Sequence, residues 1–180
     1  MKTPLQLSVL FLLLFSLAGC RSNSDERSKI LFSDASILAN QHTKITEKWA
    51  LEIIEVWTEQ NGAKFPSNRD WFISRGEKII PLIDESSRLA NEAADKYEEG
   101  SRLMSSDSDR RGMALFAASF RKDVEIAQLA KDLVQLASDK TINDKETLNE
   151  RAGSLMRSIR QTQEQRDEQF QEGARLLLKK

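Results

Sequence analysis

Apolar residues recur every three or four positions along almost the whole chain, in four stretches parted by short polar breaks. The first stretch, Ser28 to Gln60, carries Leu31, Ala35, Leu38, Ile45, Trp49, Ile53 and Val56, with His42 in its one gap. The second, from near Ser67, carries Phe72, Gly76, Ile79, Ile83, Ser86, Ala90, Ala93, Tyr97, Gly100 and Met104. The third reaches Ala137 through Met113, Phe116, Ala117, Phe120, Val124, Ala127, Ala130, Leu133 and Val134. The fourth carries Leu148, Ala152, Leu155, Ile159, Thr162, Arg166, Phe170, Ala174 and Leu177. This spacing lines one face of a helix, whereas a half-buried strand needs strict alternation. Only 7 Gly and 3 Pro interrupt 180 residues, so the chain reads as all-α.

The breaks are short. Asn61-Gly62 ends the first helix, and Ser67 with Asp70 has the spacing of a helix start. Ser105 to Asp109 supplies caps for the third helix, and Asn143 with Glu146 supplies a capping-box start for the fourth, after a turn from Ser138 to Ile142. Pro81 predicts a kink, or a break near Arg75-Gly76. Short connections force neighbouring helices antiparallel, and helices of roughly 30–38 residues run about 45–55 Å. The expected architecture is an elongated antiparallel up-down-up-down four-helix bundle, and the alternative is two long helical hairpins forming a dimer.

Charge excludes one class of partner. With 27 Lys and Arg against 28 Asp and Glu, the net charge is −1, so no basic field exists for nucleic acid. A single cysteine, Cys20, permits no disulfide within the chain, and packing alone must stabilise it.

The N-terminus has its own pattern. Lys2 precedes an apolar run from Leu5 to Leu17, too short to span a bilayer comfortably, and Leu17-Ala18-Gly19-Cys20 closes it. This resembles the signal peptide of bacterial lipoproteins. The resemblance covers residues 1–20 and implies cleavage between Gly19 and Cys20, with thioether lipidation of Cys20 and acylation of its new amino group. Two or more acyl chains, at about 0.8 kcal/mol per buried methylene, would hold the mature protein at a membrane. Arg21 stands where an Asp would mark inner-membrane retention in enterobacteria-like sorting, so the resemblance points to the outer membrane and a domain in the periplasm. The expected organisation is a leader over 1–19, a lipidated Cys20 and flexible tether over 20–27, and a single helical bundle domain over 28–180.

No catalytic motif stands out. There is no Gly-x-Ser-x-Gly, P-loop, Gly-x-Gly-x-x-Gly or His-Glu-x-x-His pattern. The lone His42 cannot supply the two Glu-x-x-His elements of a di-iron bundle, and it reads as a partly buried structural residue. The surplus carboxylates fall mostly opposite the apolar stripes, as on a solvated face. The expectation is therefore a non-enzyme with no metal and no cofactor.

Two regions are candidate binding surfaces. Trp57, Phe65, Trp71 and Phe72 bracket the first turn, where they form either a plug or a partner-docking end. Ala90, Ala93, Ala94, Ala127 and Ala130 either allow close helix approach or mark a groove. Thr162, Arg166 and Gln169 put polar groups near the fourth stripe, and the C-terminal Arg175 to Lys180 either closes the core or rests on lipid. The primary functional expectation is a lipid-anchored envelope protein acting by protein–protein contact, as scaffold, accessory subunit or assembly factor, with self-association open. The alternative is a bundle-type binding module for a small apolar ligand.

Overall fold

The structure, a computed structural model, describes residues 23–58 and 64–178. The leader, Gly19, Cys20 and the Asn61-Gly62 break lie outside the described residues. Four helices follow in order: α1 Asn23–Val56, α2 Arg69–Leu103, α3 Asp107–Gln135 with a 3-10 turn Leu136–Ser138, and α4 Lys145–Leu178. Among the described residues there is no strand, and the protein is an all-α four-helix bundle.

Each helix packs antiparallel on the next. Arg27 meets Glu99 at one end of the α1–α2 pair, and Glu55 meets Arg75 at the other. Lys131 reaches Asp84 between α2 and α3, and Ser108 Oγ donates to the Leu176 carbonyl between α3 and α4. The two hairpins join within one chain through α2 and α3. The core divides into two apolar clusters. One gathers Phe32, Tyr97, Met113, Phe116, Phe120 and Phe170, and the other gathers Trp49, Ile53, Phe72, Ile79, Ile83, Ile126 and Leu133.

The helices differ from the sequence reading at three ends and at one interior position. Helix α1 begins at Asn23, so residues 23–27, expected in the flexible tether, are helical. There Arg27 gains Glu99, a pairing open only to a helix laid along α2. At the start of α2 the flanking residue is Asn68, without a side-chain cap, and Ser67 Oγ donates back to the Lys64 carbonyl. Helix α2 also runs through Pro81 unbroken, because Pro81 lies on the exposed face, where water can serve the freed carbonyl. At α4 the cap is Asp144, not Asn143: its carboxylate accepts from Thr147 N at 2.8 Å and Thr147 Oγ1 at 2.9 Å. Those bonds hold the Asp144 carboxyl below its ordinary value, the backbone N–H being the larger cause. Ser106 caps α3 as expected, accepting from Asp109 N.

Glycine sets the closest crossing. A Cβ on Gly112 of α3 would stand 2.7 Å from Leu177 Cγ and 3.1 Å from the Gly173 carbonyl of α4. Leu177 is fully buried there, so the last turn of α4 closes this end of the core. Overpacking costs about 1–3 kcal/mol, against a helix-propensity gain of up to about 1 kcal/mol. Gly112→Ala is expected to lower stability by about 1–2 kcal/mol on that balance. Gly153→Ala, whose Cβ would meet only Arg157 Nη1 at 3.5 Å, is expected to be neutral or stabilising. Urea unfolding of the two variants checks the contrast.

Candidate functional site

The bundle has an open edge. Helices α1 and α2, α2 and α3, and α3 and α4 pack closely, while α1 and α4 barely approach one another. Side-chain size explains the gap. Beside its main stripe, α1 carries a second row of small residues: Ala39, Thr43, Thr46 and Ala50. Facing them, α4 presents Gln163 and Arg166, polar groups that cannot fill an apolar seam. A cleft of about 600 Å³ results, floored by α3. That size lies within the range of small-molecule sites.

The cleft is polarised along its length. From Trp49 onward its walls are Ile53, Ile54 and Trp57 of α1, Ile126, Ala130 and Leu133 of α3, and Met156 and Ile159 of α4. Toward the other end they are Asn40, His42, Thr43, Asp123 and Arg166, bounded by Phe120 and Phe170. Beneath the polar end, one side chain from each helix meets between the two apolar clusters. His42 of α1 has Nδ1 3.0 Å from Ser86 Oγ and 3.0 Å from the Ser86 carbonyl of α2. Its Nε2 lies 3.4 Å from Asp123 Oδ2 of α3, and Asp123 Oδ1 lies 3.7 Å from Arg166 Nε of α4. Thr46 Oγ1 adds a 2.7 Å bond to Ser86 Oγ. One consistent assignment has Thr46 donating to Ser86, Ser86 donating to Nδ1, and Nε2–H directed at Asp123.

Serine, histidine and aspartate in sequence of contact invite a hydrolytic reading. The geometry does not serve it. Ser86 has 0% exposure, wedged between α1 and α2, and does not line the cleft. A nucleophile must reach a substrate carbonyl, and here the hydroxyl ties two helices together. Among the described residues no cluster of three or more His, Cys, Asp or Glu could hold a metal. Both imidazole nitrogens are taken up there, and the polar end of the cleft is lined by Asn40, Thr43, Gln163 and the Arg166 guanidinium.

The candidate surfaces read from sequence touch the cleft only at Trp57 and Ala130. Ala90, Ala93, Ala94, Ala127 and Ala130 are buried, closed off from solvent where α2 and α3 pack. Among them only Ala130 borders the cleft. At the aromatic end, Phe72 packs against Trp57 at 5.3 Å, Phe65 at 6.2 Å and Trp71 at 5.2 Å between ring centres. Phe65 and Phe72 are buried, Trp57 is half-buried, and Trp71 alone is exposed, at 38%. Arg69 lies over the Phe65 ring and donates to the Ile142 carbonyl, fastening the α3–α4 turn to this plug. The expectation of a structural histidine holds in that His42 is buried, but its partners were not foreseen.

Compared with family models, curated proteins and solved structures, the chain matches none.

Proposed function

We propose that this is a lipid-anchored binding module of the bacterial cell envelope that holds a small, largely apolar ligand between α1 and α4. The anchoring half rests on Leu17-Ala18-Gly19-Cys20 behind its apolar run. In this reading the bundle sits at a membrane, facing the periplasm. Among the described residues no helix is long and apolar enough to cross a membrane, so attachment in this reading falls to the acyl chains. The binding half rests on one observation, the 600 Å³ cleft with an apolar half and a polar end. A helical bundle that needed only rigidity would close its fourth edge, since each buried methylene contributes about 0.8 kcal/mol.

Two tryptophans make the reading testable. Trp49 and Trp57 line the cleft. A neutral apolar dye, N-phenyl-naphthylamine, is expected to bind the full-length chain saturably, one per chain, and to quench tryptophan emission by energy transfer. Ala50→Phe, which fills the cleft from α1, is expected to weaken binding at least about tenfold, the equivalent of about 1.4 kcal/mol, while preserving the helical signal. No saturable binding, or binding indifferent to Ala50→Phe, would overturn the reading.

A second reading, protein–protein contact, has its own support. Four large apolar residues of α1 face solvent: Ile30 at 58%, Ile37 at 54%, Leu51 at 68% and Ile54 at 67% exposure. Capture of another envelope protein from native membranes that survives Ala50→Phe and is lost in Leu51→Glu would favour contact over ligand binding.

A further inference from the structure

The cleft narrows the chemistry of what it holds, an argument that rests on the binding reading above. The cleft offers about 600 Å³. At the ~30 Å³ that a water-sized group occupies, it fits about twenty non-hydrogen atoms. From His42 to Trp57 it is about 22 Å long at 1.5 Å per residue, so the occupant is thin. Its apolar half begins at Trp49 and ends against Trp57, which the Phe72 ring backs. A single unbranched chain suits that shape.

Arg166 is the one arginine or lysine on the cleft's lining. Both of its carboxylate contacts use Nε, with Asp167 Oδ1 at 3.1 Å and Asp123 Oδ1 at 3.7 Å. Its two terminal amino groups make no hydrogen bond to any described residue, though the side chain lines the cleft and is mostly buried. The outer edge of a guanidinium presents parallel N–H groups that match a carboxylate or phosphate in a fork. Asn40 and Gln163 flank it with further polar groups, and the one other acid at the cleft, Glu47, lies on the exposed rim. We propose that the cleft holds a single-chain amphiphile with an anionic head, its tail between Trp49 and Trp57 and its carboxylate or phosphate on the free edge of Arg166.

Four probes with a bromine at the tail end test this on the full-length chain: 12-bromododecanoate, 12-bromododecyl phosphate, 12-bromododecanol and 12-bromododecyl-trimethylammonium. Bromine quenches tryptophan on contact, so a tail in the apolar half dims Trp49 and Trp57. The two anions are expected to quench at concentrations about tenfold lower than the alcohol or the cation, as a charge-assisted fork implies. If only one anion does so, it names the head, free acid or phosphoester, and still supports the proposal. Arg166→Gln is expected to bring the anions level with the alcohol and leave the alcohol unchanged. Arg166→Lys, which keeps the charge without the fork, should retain part of the preference and guards against a folding defect in the first variant. Equal binding of all four probes, or a preference untouched in both variants, overturns the anionic head and leaves the cleft reading standing. If neither these probes nor the neutral dye binds, the cleft reading itself falls.

Discussion

Tyr97→Ala is expected to lower the unfolding free energy by about 3–5 kcal/mol, the range for deleting a large buried aromatic side chain. Tyr97 has 0% exposure, within the core cluster that holds Phe32, Phe116 and Phe120. Its ring lies edge-on to Phe32 at 5.6 Å, tilted to Phe116 at 5.3 Å and stacked on Phe120 at 5.6 Å. Those three rings come from α1 and α3, so one side chain of α2 joins three helices. Truncation leaves a hole that rigid neighbours cannot collapse, since Phe116 is itself held by Phe170 at 4.9 Å. Tyr97→Phe keeps the rings and loses only the 3.3 Å contact between the phenol and Ser36 Oγ, at a cost of about 1 kcal/mol or less. Urea unfolding distinguishes the two. An alanine variant losing under about 1 kcal/mol would mean that this cluster is not the core of the fold.

The same side chain makes the protein alkali-sensitive. Burial pushes the Tyr97 phenol well above its ordinary value near 10, and the Ser36 contact, which works the other way, does not offset it. Folded Tyr97 therefore keeps its proton at pH values where the unfolded chain has released it. Stability from this group is complete below about pH 10 and falls above it, by about 1.4 kcal/mol per pH unit. By pH 12 the loss reaches about 2.7 kcal/mol. Tyr97 is the only tyrosine in the sequence, so tyrosinate absorbance reports this ionisation alone. It is expected to rise together with loss of helix, and Tyr97→Phe is expected to flatten the alkaline arm of the stability curve. Tyrosinate forming while the helical signal stays constant would mean that the phenol meets solvent in the folded state.

Much of the core could be read residue by residue. All ten seam residues expected for α2, Phe72 to Met104, are buried. The seam of α4 holds at both ends, from Leu148 and Ala152 to Phe170, Ala174 and Leu177, and is only half-buried at Leu155, Ile159, Thr162 and Arg166. There the polar residues marked the open edge, although the sequence alone left two explanations for them. Asp123 carries a signal of its own in the sequence. It sits in the same three-and-four register as Phe116, Phe120, Ala127 and Ala130, a carboxylate at a core position. A charged residue in that register needs a partner on another helix, and the lone histidine and Arg166 occupy matching registers on theirs. The Ala39-Thr43-Thr46-Ala50 row was equally visible as spacing, but small residues read alike whether they admit a neighbouring helix or leave a void.

Periodicity and turn chemistry are local, and they determined the helices, their inner faces and their antiparallel order. Which two helices would fail to touch depends on volumes brought together from residues over a hundred positions apart, α1 against α4, and no spacing along the chain records that sum. Only the packed bundle decided that the gap opens there and that four helices pool their polar side chains beneath it. The physical reason is that burial follows from pattern within one helix, whereas a cavity is a mismatch between several.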